Sequence, residues 1–126
     1  MIAGSQIGSM QFHSLLQKEE TTDTETVSKQ IVNYVKYSLC RDISSIDVFG
    51  MYMATSATLR NRLIDNWMKT IQAQVETKAK SINYLSLEFL MGRALTNSLY
   101  NMEVGKTYAE SLKALGFRME DIQGEE

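Results

Sequence analysis

Apolar residues recur every three or four positions through residues 23–39. Val27, Ile31, Tyr34, Val35 and Leu39 fall on one face, which predicts an amphipathic helix. Thr22-Asp23-Thr24-Glu25 has the spacing of a capping box, with Glu25 three positions after Thr22. The period breaks over residues 41–47, RDISSID, a connector in which Ser44, Ser45 and Asp47 each suit a helix N-cap. It resumes near Val48 and runs to Lys78, a helix of about 45 Å at the standard rise. Leu59, Leu63, Ile64, Trp67, Met68, Ile71 and Val75 form a continuous stripe along it, more suited to core or subunit contact than to a ligand box. Gly50, Thr55, Ser56 and Thr58 are poor helix formers, so the pattern is weakest over the first turns.

Residues 82–87, INYLSL, are short, rich in large apolar side chains and preceded by the polar run TKAKS, which predicts a strand. Gly92 punctuates the apolar run after it, and a short helix is expected over 94–101. A further amphipathic helix over 103–115 places Val104, Tyr108, Leu112 and Leu115 on one face. Gly116 stands at its C′ position with Phe117 as the hydrophobic C″ partner, and Met119 and Ile122 suggest one more turn. Residues 1–21 hold no period and read as a disordered tail before a folded segment over 22–126. The expected fold class is therefore mainly α with one strand. A lone apolar strand cannot satisfy its own backbone groups. It calls for dimerisation through that edge or for a sheet supplied by a larger protein. The long helix, which outruns what the rest of the chain can cover, favours the larger protein.

Composition narrows the functional classes. A chain of 126 residues with 44% hydrophobic and 22% charged residues is ordinary for one domain at most. A net charge of −2 gives no general attraction to nucleic acid or anionic membrane. One cysteine, Cys40, excludes an intrachain disulfide and points to a reducing, cytoplasmic setting. No window has the run of apolar residues that a membrane span needs, and the N-terminus lacks the features of a signal peptide. The absence of proline favours uninterrupted helices.

Few residues carry candidate chemistry. Glu88 sits among Leu85, Leu87, Phe89 and Leu90, and a carboxylate buried there would need a partner. On a strand it would share a face with Tyr84 and Ser86, and the plain alternative is that this face meets solvent. Arg93 is the nearest cation, able to pair with Glu88 or to bind an anion. Gly92 at a strand–helix turn suggests a positive φ or a close backbone approach. No glycine-rich phosphate loop occurs, and a single histidine, His13, with a single cysteine leaves no zinc site and no Ser-His-Asp set. Cys40 reads as a small packed residue.

The stretch 81–101, SINYLSLEFLMGRALTNSLYN, resembles the N-terminal signature of the α-glucan phosphorylases. Tyr84, Leu85, Ser86, Leu87, Glu88, Phe89, Gly92, Arg93 and Asn97 fall at that family's spacing. Weaker similarity runs from about Thr26 to the C-terminus, including SLKALG at 111–116 and MEDI at 119–122. The resemblance implies the N-terminal part of a large glycosyltransferase with two Rossmann-like α/β domains. Such enzymes cleave α-1,4-glucans of the glycogen and starch type with orthophosphate and release α-D-glucose 1-phosphate. They use pyridoxal 5′-phosphate on a lysine of the C-terminal domain, which is not in this chain.

By the same resemblance, Glu88 and Arg93 line the catalytic cleft, Leu90 lies near the cofactor, and Gly92 holds the turn beneath a glycine-rich loop that would begin past Glu126. No catalytic residue itself falls within the chain, and the segment alone is expected to be inactive and to bind no cofactor. Leu90 stands where animal members carry tyrosine, which aligns the chain with plant and microbial members. Asp42, Ile71 and Val75 match an AMP effector site of animal members in degenerate form, because Val75 replaces a stacking aromatic and Ile71 a polar contact. Ser5, Ser9 and Ser14 lack the basic neighbours of the animal phosphorylation switch. A homodimer through the long helix and the preceding connector is implied. The competing class is a non-enzymatic helical dimerisation module.

Overall fold

The computed structural model describes residues 22–88 and 92–126. The expectation of a disordered tail over 1–21, the tail serines, His13 and Leu90 lie outside the described residues. The described residues form five α-helices: α1 Thr24–Tyr37, α2 Val48–Glu76, α3 Leu95–Asn101, α4 Gly105–Ala114 and α5 Met119–Gly124. A 3-10 turn, Ile43–Ser45, joins α1 to α2.

The helix starts follow from local side chains. Asp23, rather than Thr22, caps α1: its carboxylate accepts from the Thr26 N–H at 2.8 Å and from the Thr26 hydroxyl at 2.8 Å. Glu25 pairs forward with Lys29 at 2.6 Å instead of closing a capping box. Thr22 takes a different role, its hydroxyl accepting from Arg62 Nη1 at 2.9 Å. Arg62 Nη2 also donates to Gln30 Oε1 at 3.0 Å, tying the start of α1 to the middle of α2. Asp42 caps the 3-10 turn through the Ser44 N–H at 2.8 Å, and Asp47 caps α2 through the Gly50 N–H at 2.8 Å.

The core is one cluster. Val27, Ile31 and Val35 of α1 meet Met51, Ala54 and Leu59 of α2, Tyr108 and Leu112 of α4, and Ile122 of α5. Leu95 and Leu99 of α3 close one end, and Ile46 and Val104 fill in from the connectors. α1 packs on α2 and α4, and α5 packs on the same two helices. The hydroxyls of Thr55, Thr58, Tyr108 and Ser111 are hydrogen-bonded within this core, whereas Ser56 Oγ is buried without a partner among the described residues. Thr55 and Thr58 donate to the carbonyls of Met51 and Thr55, both at 2.8 Å, and the Tyr108 hydroxyl donates to Thr58 Oγ1 at 3.4 Å. Ser111 Oγ lies 3.0 Å from the Thr24 carbonyl and 2.8 Å from that of Thr107, which joins α4 to the first turn of α1.

α2 begins at Val48 as the period predicts, and its burial is uneven along its length. Its first turns, with their poor helix formers, are the buried half: Gly50, Met51, Ala54, Thr55, Thr58 and Leu59. Small side chains there let neighbouring helices approach. The apolar stripe of the second half emerges from the core, with Trp67 62% and Val75 71% exposed. Beyond Leu59, which is buried, the stripe lies largely at the surface of this chain.

Three helices end in the same way. Gly116 follows α4 at φ +88°, with Phe117 N–H donating to the Leu112 carbonyl at 2.9 Å and Gly116 N–H to that of Lys113 at 3.1 Å. This is the Schellman arrangement that the Gly116-Phe117 pair predicts. Lys78 after α2 and Glu103 after α3 occupy the equivalent left-handed position, at φ 50° and 56°. Ala79 N–H then reaches the Gln74 carbonyl at 3.0 Å and Val104 N–H that of Leu99 at 3.1 Å. Val104 and Leu99 are both buried, so the α3 cap also carries its hydrophobic contact.

The expected strand at 82–87 is not formed, and no strand occurs among the described residues. The segment lies outside the helical core. Ile82, Tyr84, Leu85 and Leu87 are all exposed, with Leu85 at 93%. A strand exists only by sharing hydrogen bonds with a neighbour, and this segment has none among the described residues.

Candidate functional site

The candidate site begins at the far end of α2. Thr77 caps that helix, its hydroxyl donating to the Ala73 carbonyl at 2.7 Å, and the backbone then leaves the helix at Lys78. From Lys80 to Ser86 there is no regular structure. Ser86 makes a local turn: its hydroxyl donates to the Glu88 carbonyl at 3.0 Å and lies 3.1 Å from the Glu88 N–H. Glu88 is thereby held by its backbone, while its side chain is exposed.

Gly92, Arg93 and Ala94 re-enter the helical unit at α3. α3 has no side-chain cap of its own. Its first backbone donors are met from a distance by Glu126 Oε1, which accepts from the Ala94 N–H and, at 2.8 Å, from the Leu95 N–H. Gln123 Nε2 adds a bond to Thr96 Oγ1 at 3.0 Å. Glu126 therefore fixes the point where the segment carrying Glu88 and Arg93 rejoins the core. Glu126 is not among the residues that the sequence singles out, because a glutamate so far along the chain gives no local capping signal.

The structure does not gather the expected residues into a cleft. Glu88, Gly92 and Arg93 are all exposed, and no ion pair joins Glu88 to Arg93 among the described residues. Gly92 has neither of the features that would require glycine. Its φ is not in the left-handed region, and a Cβ added there would meet nothing within 4 Å. The alternation that put Glu88 on one face with Tyr84 and Ser86 does not apply without a strand. Cys40 is exposed, not packed, at φ 53° just past α1. No group of acidic, histidine or cysteine side chains suited to a metal ion occurs among the described residues.

Asp42, Ile71 and Val75 are likewise apart. Asp42 precedes α2 and is engaged in capping, where the Ser44 hydroxyl and then the Ser44 N–H hold its carboxyl below the usual aspartate range. Ile71 and Val75 lie in the last turns of α2, about 35 and about 40 Å along the helix axis from its start. One chain cannot bring these three side chains onto one ligand.

A surface hollow of about 530 Å³ lies elsewhere, at the α3–α4 junction, lined by Leu99, Tyr100, Asn101, Glu103, Gly105 and Lys106. It is shallow and open. A smaller one of about 170 Å³ lies between α2 and the start of α3, against Tyr52, Ser56, Arg60 and Glu126. Neither includes Glu88 or Arg93. No helix of the described residues is long and apolar enough to cross a membrane.

Comparison with known proteins identifies relatives. The chain is 34% identical to glycogen phosphorylase 2 of Dictyostelium discoideum, over 97% of its own length and 13% of that protein. It is 33% identical to glycogen phosphorylase of Saccharomyces cerevisiae, over 87% of the chain and 14% of the relative. It is 35% identical to the cytosolic α-glucan phosphorylase 2 of Arabidopsis thaliana, over 85% of the chain and 13% of the relative. No family model matches the chain. The similarity to these relatives covers most of the chain, so the chain belongs to the glycogen and α-glucan phosphorylase family, of whose members it spans a small part.

Proposed function

We propose that this chain is the N-terminal portion of an α-1,4-glucan phosphorylase of the plant or microbial kind. The complete protein releases α-D-glucose 1-phosphate from glycogen- or starch-type glucans with orthophosphate, as a cytoplasmic homodimer of subunits built on two Rossmann-like domains. The observation that carries this reading is the segment 82–88. It joins the residues of the phosphorylase-like signature to an exposed, unpaired apolar backbone, as expected of a strand whose sheet is supplied by the rest of a larger protein. In that setting Glu88 and Arg93 line one wall of a cleft. Pairing the strand satisfies its backbone groups, and layers packed on the two faces of that sheet bury Ile82, Tyr84, Leu85 and Leu87.

The complete protein uses pyridoxal 5′-phosphate, whose phosphate supplies proton transfer to the substrate phosphate. Among the described residues a Cβ on Gly92 would meet nothing within 4 Å, and Glu88 and Arg93 are exposed. No step is therefore assigned to this chain through that group. Its part is to supply a wall, and residues 1–126 alone are inactive. Asp42, Ile71 and Val75 share a site only across two copies, because α2 separates them within one. With Val75 offering no aromatic face, that site does not hold a nucleotide base.

The test is direct. Purified 1–126 shows no release of glucose 1-phosphate from glucan and no cofactor absorbance, and activity from it overturns the reading. In the complete protein, Glu88→Gln lowers kcat about tenfold or more with the fold intact. An unchanged kcat removes Glu88 from the cleft. A second reading, a free-standing helical dimerisation module, is favoured by the exposed apolar stripe of α2. A stop codon directly after Glu126 in the gene supports it, and a long open continuation with a glycine-rich loop supports the phosphorylase.

A further inference from the structure

We draw no further inference here: the strongest candidate, the apolar face on the second half of α2 carried by Leu63, Trp67, Met68 and Val75, is exposed, but nothing in the structure shows what covers it.

Discussion

Gly50 is the position at which backbone and packing are most tightly matched. It lies in the first turn of α2 and is buried. A Cβ there would stand 2.5 Å from Ile46 Cδ1, 2.9 Å from Asp47 Oδ1 and 3.0 Å from Ile46 Cγ1. Ile46 is itself in the core, so its terminal methyl moves only by displacing its neighbours. Asp47 Oδ1 is the atom that accepts from the Gly50 N–H, so moving it loosens the helix cap. Overpacking of this kind costs about 1–3 kcal/mol, and a weakened cap about 1 kcal/mol. Alanine recovers about 1 kcal/mol of helix propensity. Gly50→Ala is therefore net destabilising by about 1–3 kcal/mol, the packing cost setting the sign. Urea denaturation of 1–126, followed by circular dichroism at 222 nm, shows this as a lower midpoint at unchanged slope. Ile46→Val removes Cδ1, the closest atom, so the double variant loses less than the sum of the two singles. A Gly50→Ala midpoint equal to or above the parent, or strict additivity in the cycle, refutes the argument.

Other predictions concern the surface, the caps and the acid response. Trp67→Glu leaves the denaturation midpoint within about 0.5 kcal/mol of the parent, since the ring is mostly outside the core, but suppresses self-association of 1–126 in sedimentation velocity. Unchanged association would mean that the α2 stripe is not what brings copies together. Gly116→Ala lowers stability by about 1 kcal/mol, because alanine resists the left-handed backbone there. Lys78→Gly does not lower it, because glycine accepts the left-handed turn that lysine resists. Thermal melts that rank the two in the opposite order exclude this account of the helix ends. Asp42, Asp47 and Asp121 are all held below the usual aspartate range, by Ser44, by the Gly50 N–H and by Arg118 respectively. A depressed carboxyl contributes stability that is complete above the unfolded value of about 3.9 and lost as pH falls through the folded value. Denaturation midpoints therefore fall on acidification below about pH 4, and Asp47→Asn flattens part of that fall. A midpoint independent of pH in that range contradicts it.

Much of the helical layout is legible in the chain because it is local. Val27, Ile31 and Val35 repeat with the helix period and are the buried face of α1. Gly116 and Phe117 mark a helix end by type alone. Lys78 and Glu103 do the same work at the ends of α2 and α3 without glycine, so composition could not mark them. The first turns of α2 are helical from Val48, as the period has it, although propensity and packing pull in opposite directions there. Gly50, Ala54, Thr55 and Thr58 are small, and close approach of neighbouring helices outweighs the poor propensity of the glycine and the threonines. It is the segment 82–87 that misleads. Its side chains suit a sheet, but pairing is a property of two segments, and this one is alone among the described residues. The candidate site fails to form on the same ground, since Glu88 and Arg93 have an address in the chain but no opposing wall.

The bond from Glu126 to the start of α3 bears on mechanics. It pins one end of the connection between α2 and α3, while the other end is fixed to the tip of a helix whose last turns stand clear of the core. That overhang is roughly 26 Å long at the helical rise. The connection from Thr77 to Ala94, fully stretched, reaches roughly 60 Å. The tether is thus more than twice as long as the gap the overhang imposes, so it carries slack. Where Glu88 comes to rest is then set by whatever surface docks against the connection, and tension from its two ends contributes little.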